Sequence, residues 1–291
     1  MIKVLVTGSN GQLGSELKEF KNSVDSVDFV FTDFEELDIT DYDKVKSFFE
    51  ENSNIGLIIN CAAYTAVDNA EKEYQKARLI NVYGVSNLAE MSELYHIPII
   101  HLSTDYVYGG TANKPISEDF PENPQSVYGK TKFDGEEILM ATTNNHLIIR
   151  TSWLYSSYGI NFVKTILRVA KEKDKINVIY DQVGTPTYAA DLAKVIVHII
   201  NEYIKTKKIP TGIFHFSNEG VCSWYDFAIE IIKMSKLNCE VLPILTSEYN
   251  SAAERPSFSV LNKSKIKETL KITIPYWKNS LERCINKILG N

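Results

Sequence analysis

The chain opens with an unbroken apolar run, Ile2 to Thr7, and then changes period. Leu13, Leu17 and Phe20 repeat at helical spacing over Gln12 to Phe20. The same alternation recurs. Val27 to Thr32 reads as a second strand and Asp41 to Glu51 as a helix, with Leu57 to Cys61 as a third strand. A long helix over Ala77 to Tyr95 then leads to the apolar run Pro98 to Ser103. A helix carrying Tyr128 and Lys132 precedes a further strand, His146 to Thr151. Strands alternating with helices imply right-handed crossovers and a parallel sheet covered on both faces. Val4-Leu5-Val6 and Leu57-Ile58-Ile59 are apolar at every position, as strands buried on both sides require. The pattern predicts a doubly wound α/β fold.

After Trp153 the rhythm loosens. Helices are predicted over Phe162 to Glu172, Asp191 to Lys205 and Trp224 to Ser235, and strands over Ile176 to Tyr180 and Ile213 to Ser217. No Pro/Gly/Ser-rich linker, repeat or low-complexity segment marks a boundary. The expected organisation is a dinucleotide-binding domain over 1–152 and a smaller lobe over 153–291, with room for some of its elements to return to the main sheet.

Composition narrows the function classes only a little. The 291 residues are 44% hydrophobic and 23% charged, ordinary for a globular protein with a sizeable core. A net charge of -6 argues against nucleic acid or an anionic membrane as the main partner. Met1-Ile2-Lys3 runs straight into a strand-like segment without a signal-peptide pattern, and no apolar stretch is long enough to span a bilayer. Cys61, Cys222, Cys239 and Cys284 are scattered and lack metal-ligand spacing. The expectation is a cytoplasmic protein with reduced thiols.

The first strand runs into Gly8-Ser-Asn-Gly11-Gln12-Leu13-Gly14 and then a helix. Glycines there permit a tight turn and close backbone approach to a diphosphate, and the helix N-terminus supplies unpaired N–H donors. Asp33, at the end of the second strand, can accept from ribose hydroxyls and would repel a 2′-phosphate, which leans toward NAD without settling NADH against NADPH. Asp38 and Ile39 are placed to flank an adenine, although a structural loop explains them equally well. Ala62 and Ala63 leave room for the nicotinamide end, and Cys61 reads as a packed small hydrophobe.

Thr104 follows a buried strand, at the edge where open α/β sheets bind ligands. Tyr128 and Lys132 are one helical turn apart on one face. An ammonium in reach of a phenol lowers its pKa, making the pair a candidate proton donor and its tuner.

The Gly-rich loop, Thr104 and Tyr128-x-x-x-Lys132 together resemble the short-chain dehydrogenase/reductase superfamily, in its extended, sugar-nucleotide-modifying branch, and so a Rossmann-type fold. Asn60-Cys-Ala-Ala-Tyr-Thr-Ala-Val-Asp68, Ser103-Thr-Asp-Tyr-Val-Tyr108, Arg150-Thr-Ser-Trp153, Asp181-Gln-Val-Gly-Thr-Pro-Thr187 and Glu254-Arg-Pro-Ser-Phe-Ser259 are similar to the signature segments of the dTDP-4-dehydrorhamnose reductase family. That resemblance implies reduction of dTDP-6-deoxy-L-lyxo-4-hexulose to dTDP-L-rhamnose with NADPH or NADH. By position it makes Tyr128 the proton donor and Lys132 the group that holds the nicotinamide ribose and lowers the Tyr128 pKa. Thr104 tunes Tyr128 and the substrate carbonyl. Gly11, Gln12, Leu13, Asp33, Asp38, Ile39, Ala63, Tyr64 and Thr65 match cofactor contacts. Asp105, Trp153 and Val67 match substrate contacts. Arg255 and Arg168 are candidates for the diphosphate because a bidentate guanidinium suits phosphate oxygens, although a solvated surface charge explains Arg168 equally well. Some members bind Mg²⁺ at a dimer interface through glutamates. Glu16 matches one of them, but Ala190 stands where they carry Glu, so no structural Mg²⁺ is expected, and a monomer is favoured over a homodimer. Two other readings stay open: an epimerase or epimerase-reductase of the same superfamily, and a non-catalytic dinucleotide-binding subunit.

Overall fold

A computed structural model describes residues 2–24 and 26–290. The strands β1 (Ile2–Thr7), β2 (Val27–Phe31), β3 (Ile55–Asn60), β4 (Ile99–Thr104) and β5 (His146–Thr151) pair in parallel with a later strand, Gly212–Phe216. The sheet order is Gly212–Phe216, β5, β4, β3, β1, β2. The order reverses at β1, so the carboxyl ends of β1, β3 and β4 open onto one crevice, the usual ligand position in such sheets.

Successive side chains in a strand point to opposite faces, and the core divides accordingly. Val4, Val6, Leu57, Ile59, Leu147 and Ile149 face one side, against Leu13 and Leu17 of the Gln12–Glu19 helix and Leu192, Ile196 and Ile200 of the Ala189–Thr206 helix. Leu5, Ile58, Ile99 and Ile148 face the other, against Val45 and Phe49 of the Tyr42–Glu51 helix, Val85 and Leu88 of the Gly84–Leu94 helix, and Leu139. Thus Gly212–Phe216 and Ala189–Thr206, from the second half, complete the sheet and cover one face of it.

The remaining lobe has its own core, built from Val163, Ile166, Phe227, Ile231, Trp277 and Leu281. Small two-stranded ladders stitch it together: Lys175–Ile179 with Glu240–Ile244, Leu154–Tyr155 with Thr187–Tyr188, and Val183–Gly184 with Cys222–Ser223. Polar caps start two of its helices, satisfying N–H groups that have no partner within the helix. Asn161 accepts from Lys164 N, and Ser223 and Asp226 form a reciprocal capping box.

The expected elements recur within a residue or two, with one change of character. The Ala77 to Tyr95 helix starts at Tyr74 and passes through a π-helical segment, Leu79–Tyr83. That bulge presents Asn81, which accepts from Tyr64 N and donates to Tyr64 O and Thr131 Oγ1, docking the helix on the one that carries Tyr128. Gly135 permits the approach, since a Cβ there would sit 2.1 Å from Asn81 O.

Candidate functional site

A cleft of about 710 Å³ runs along the carboxyl end of the sheet, within the range of small-molecule sites. At one end the loop after β1 folds back on the end of β3. Gly8 has φ +64°, and a Cβ on it would lie 2.6 Å from the Ala62 backbone; one on Gly14 would lie 2.5 Å from Ser9 Cα. Only glycine fits these contacts. Gly11 leads into the Gln12–Glu19 helix without a side-chain cap, which leaves the first-turn N–H groups for a ligand. Asp33 accepts from Asn10 N at 2.8 Å, fixing a carboxylate beside the loop. A cradle of small residues, open N–H groups and a ribose-facing carboxylate fits the diphosphate and adenosine of a dinucleotide.

Asp38, Ile39, Ala62, Ala63, Thr65 and Val67 line the same cleft. Tyr64 does not: its backbone is held by Asn81 and its hydroxyl donates to Glu73. Gln12 is tied to the other half, accepting from Asn161 Nδ2 at 2.9 Å.

At the centre stand Thr104, Asp105, Tyr128 and Lys132. Ser126 caps the Val127–Thr142 helix by accepting from Gly129 N, and this sets Tyr128 and Lys132 on the face toward β4. The Tyr128 ring meets Tyr106 edge-on at 5.4 Å. Burial pushes the Tyr128 phenol up to about 12, with the Thr104 hydroxyl pulling it down and Asp105 pushing further up. The expected lowering by Lys132 is therefore not found. Desolvation dominates, and Lys132 Nζ is directed elsewhere, donating to Leu102 O at 2.7 Å and lying 3.3 Å from His101 Nε2. Burial also takes Lys132 down to about 8.

Asp105 is buried, and its Oδ2 has no partner of good hydrogen-bond geometry among the described residues. Burial lifts its carboxyl to about 6, the Ser259 and Thr104 hydroxyls opposing. Trp153 forms a wall, stacked on Trp224 with ring centroids 3.6 Å apart. Its backbone is left-handed, φ +46°, a costly conformation for a bulky residue. Gly184 makes room for the indole, since a Cβ there would sit 2.6 Å from it.

Neither arginine expected at the diphosphate lines the cleft. Arg168 is exposed and pairs with Glu172. Arg255 pairs with Asp68, its two terminal nitrogens reaching the carboxylate at 3.1 and 2.6 Å, just past Val67 at the margin of the cleft. Glu16 is buried, accepting from Ser156 at 2.5 Å and from Lys287 at 3.2 Å. Among the described residues no group of three His, Cys, Asp or Glu side chains gathers as a metal site. Cys61 lines the cleft with a thiol that burial pushes up to about 12, inert as expected. Sequence reasoning did not place Gly159, Ile160 and Asn161 on the cleft, Trp224 behind Trp153, or His101, which it reads as pointing within a buried strand, beside Lys132. Trp224 and Ile160 carry no local signal. His101, a lone polar residue in an apolar strand, did.

Residues 2–289 match the family described as the RmlD substrate binding domain. The chain belongs to that family. It is 38% identical over 288 residues to the spore coat polysaccharide biosynthesis protein SpsK of Bacillus subtilis, covering 99% of this chain and 98% of that one. It is 39% identical to the dTDP-4-dehydrorhamnose reductase of Aggregatibacter actinomycetemcomitans, over 97% and 98% of the two chains. Among solved structures it resembles the dTDP-4-dehydrorhamnose reductase of Clostridium acetobutylicum, with a TM-score of 0.93 at 41% identity over 99% of this chain and 100% of that one. The Bacillus anthracis reductase, solved in complex with NADP, gives 0.91 at 39% identity over the same shares. No helix is long and apolar enough to cross a membrane among the described residues.

Proposed function

We propose that the chain reduces the 4-keto group of dTDP-6-deoxy-L-lyxo-4-hexulose to dTDP-L-rhamnose, with NADH or NADPH as reductant. The observation that carries this reading is one cleft joining the dinucleotide cradle, the Thr104–Tyr128–Lys132 cluster and the Trp153 wall, in a member of this family. A bound nicotinamide supplies the hydride. The protein's own residues do the rest. Tyr128, fully protonated near neutrality because its phenol titrates at about 12, gives its proton to the oxygen that becomes the new hydroxyl. Thr104 holds that phenol and the carbonyl together, and Lys132 contributes charge at the ribose and near the developing alkoxide. Trp153, backed by Trp224, offers a flat apolar face to the deoxy-sugar. Arg255, at the cleft margin, is the guanidinium we assign to the diphosphate, in exchange for Asp68.

The test is loss of nicotinamide absorbance when the dTDP-keto-sugar is added, with dTDP-L-rhamnose as product. Cofactor that stays reduced with that substrate would remove the reading. The same fold as an epimerase would show product without net oxidation of cofactor, and a regulatory subunit would show neither.

Cofactor preference follows from charge. Asp33 and Glu36 lie together at the adenosine end, Glu36 accepting from Asp33 N at 2.9 Å, and Lys132 is the only Lys or Arg lining the cleft among the described residues. A 2′-phosphate would meet carboxylates in the cleft, while Lys18, outside the cleft lining, donates to Asn10 Oδ1 at 2.8 Å. We expect kcat/KM for NADH to exceed that for NADPH by about tenfold, a difference of ~1.4 kcal/mol, and Asp33→Ala to narrow the gap. Initial rates with both cofactors check it, and a preference for NADPH would refute it.

Asp105 makes the sugar site pH-dependent. Its folded pKa lies above the ordinary carboxylate value, so the carboxylate that accepts sugar hydroxyls is present above about pH 6 and lost below it. The KM for the sugar nucleotide should rise as pH falls through about 6, while the KM for NADH does not follow. Asp105→Asn should flatten that limb in steady-state kinetics taken across the range.

A further inference from the structure

Thr7, Asn60 and His101 stand side by side across the sheet. Thr7 is the register partner of Asn60 between β1 and β3, and Asn60 of His101 between β3 and β4. All three are buried. They form one directed chain of hydrogen bonds that ends at Lys132, a residue of the catalytic cluster. We infer that this row is a positioning device for Lys132: it fixes the His101 ring as the Nε2–H tautomer and thereby weakens the hold of Lys132 on its own charge. The inference rests on the site reading above.

The orientation of each group follows from its partners. Asn60 Oδ1 accepts from Ala62 N at 3.1 Å and from Thr7 Oγ1 at 2.7 Å. The Ala62 N–H can only donate, so the oxygen of the amide must face it and the amide nitrogen must face the ring. Asn60 Nδ2 is 3.0 Å from His101 Nδ1, and an NH₂ there requires Nδ1 to accept. Burial and the adjacent Lys132 hold the imidazole well below its usual pKa, so the ring is neutral and has a single proton. With Nδ1 occupied as an acceptor, that proton lies on Nε2, directed at Lys132 Nζ 3.3 Å away.

Two donors cannot share one hydrogen bond. An ammonium at Lys132 faces the Nε2–H unfavourably, whereas the neutral amine can accept it with its lone pair while still donating to Leu102 O. The other titratable groups around Nζ pull the opposite way. Glu136, one turn further along the helix, and Cys61, beyond the end of β3, both favour the charged form, but burial outweighs them. Glu136 is in addition engaged by Arg150. Tyr128, one turn before, is a neutral phenol. Burial takes Lys132 down to about 8, and the Nε2–H facing Nζ adds to that by favouring the neutral amine.

The test reads tautomer and titration separately. Protein labelled with ¹⁵N-histidine should show His101 as the Nε2–H tautomer from pH 6 to 8, without titration. In Asn60→Asp a carboxylate accepts from Ala62, Thr7 and His101 together, drawing the proton to Nδ1 and freeing Nε2 to accept from the ammonium. NADH affinity, measured by fluorescence across pH, should fall in the parent protein as pH rises through about 8. In a folded Asn60→Asp protein that midpoint should move up by about one pH unit, tenfold in proton affinity. A Nδ1–H ring or an imidazolium in the parent protein overturns the inference, as does an unmoved midpoint in the folded variant. Should the variant not fold, the tautomer of the parent protein still decides. Neither measurement needs the sugar substrate. A protein that turns over substrate with the wrong tautomer sinks this inference alone, and one with the right tautomer but no turnover sinks the proposed function alone.

Discussion

Tyr128→Phe is expected to lower kcat by ~10²–10⁴-fold, the usual worth of a positioned general acid, with NADH affinity close to that of the parent protein. The ring would stay, because its edge-on contact with Tyr106 and the Ser126 cap do not involve the hydroxyl. Only the proton is removed. Water cannot replace it easily at a phenol position that burial already disfavours for charge. Steady-state kcat together with a fluorescence titration of NADH checks both halves. Unchanged turnover would mean that the proton comes from another group, and Asp105 would be the first to examine, since it titrates at about 6 beside Thr104.

Arg150→Met should destabilise the fold by ~3–5 kcal/mol, because it strands a buried carboxylate. The Arg150 side chain is fully buried. It donates to Glu136 Oε1 from Nε at 3.0 Å and to Glu136 Oε2 from a terminal nitrogen at 2.5 Å, and also to Tyr108 at 2.6 Å and Glu122 at 2.7 Å. Glu136 belongs to the helix that bears Tyr128 and Lys132, and Arg150 to β5, so this ion pair anchors the catalytic helix to the sheet. A denaturant midpoint measured on Arg150→Met reads the loss. Adding Glu136→Leu should recover a large part of it, since both charges are then gone. If the double variant is no more stable than the single one, packing rather than the stranded charge is responsible.

Much of this was readable from local pattern. The apolar runs of β1, β3, β4 and β5 and the periodic helices between them are set by nearest neighbours in sequence, and so is the Gly8–Gly14 loop. What depends on distant residues was not. The Leu79–Tyr83 π-segment is accompanied by hydrogen bonds linking Asn81 to Tyr64 and Thr131, both distant in sequence. Tyr64 was expected at the cofactor, but its hydroxyl is drawn to Glu73. The ion pair that places Arg255 at the cleft margin is made with Asp68, far away in sequence. The helices Ser264–Leu270 and Trp277–Leu289 and the strand Glu240–Ile244 are not among the elements the pattern predicts. The last helix nevertheless shows Trp277, Leu281, Cys284 and Ile285 at helical spacing. The Tyr128–Lys132 spacing is legible, whereas the burial that raises the phenol is not, because spacing reports distance along a helix and says nothing of desolvation.

The placement of Gly212–Phe216 beside β5 also has a consequence for biosynthesis. A chain emerging from the ribosome at ~5–20 residues per second exposes β5 as an open edge for several seconds before its partner strand arrives. An unpaired edge with an apolar centre is a template for association with other chains. Leu147, Ile148 and Ile149 on β5 have no charged gatekeeper among them, and the nearest charge, Arg150, is turned inward to Glu136. The nascent protein thus passes through a window in which the nucleotide-binding half is complete in sequence but unfinished as a sheet.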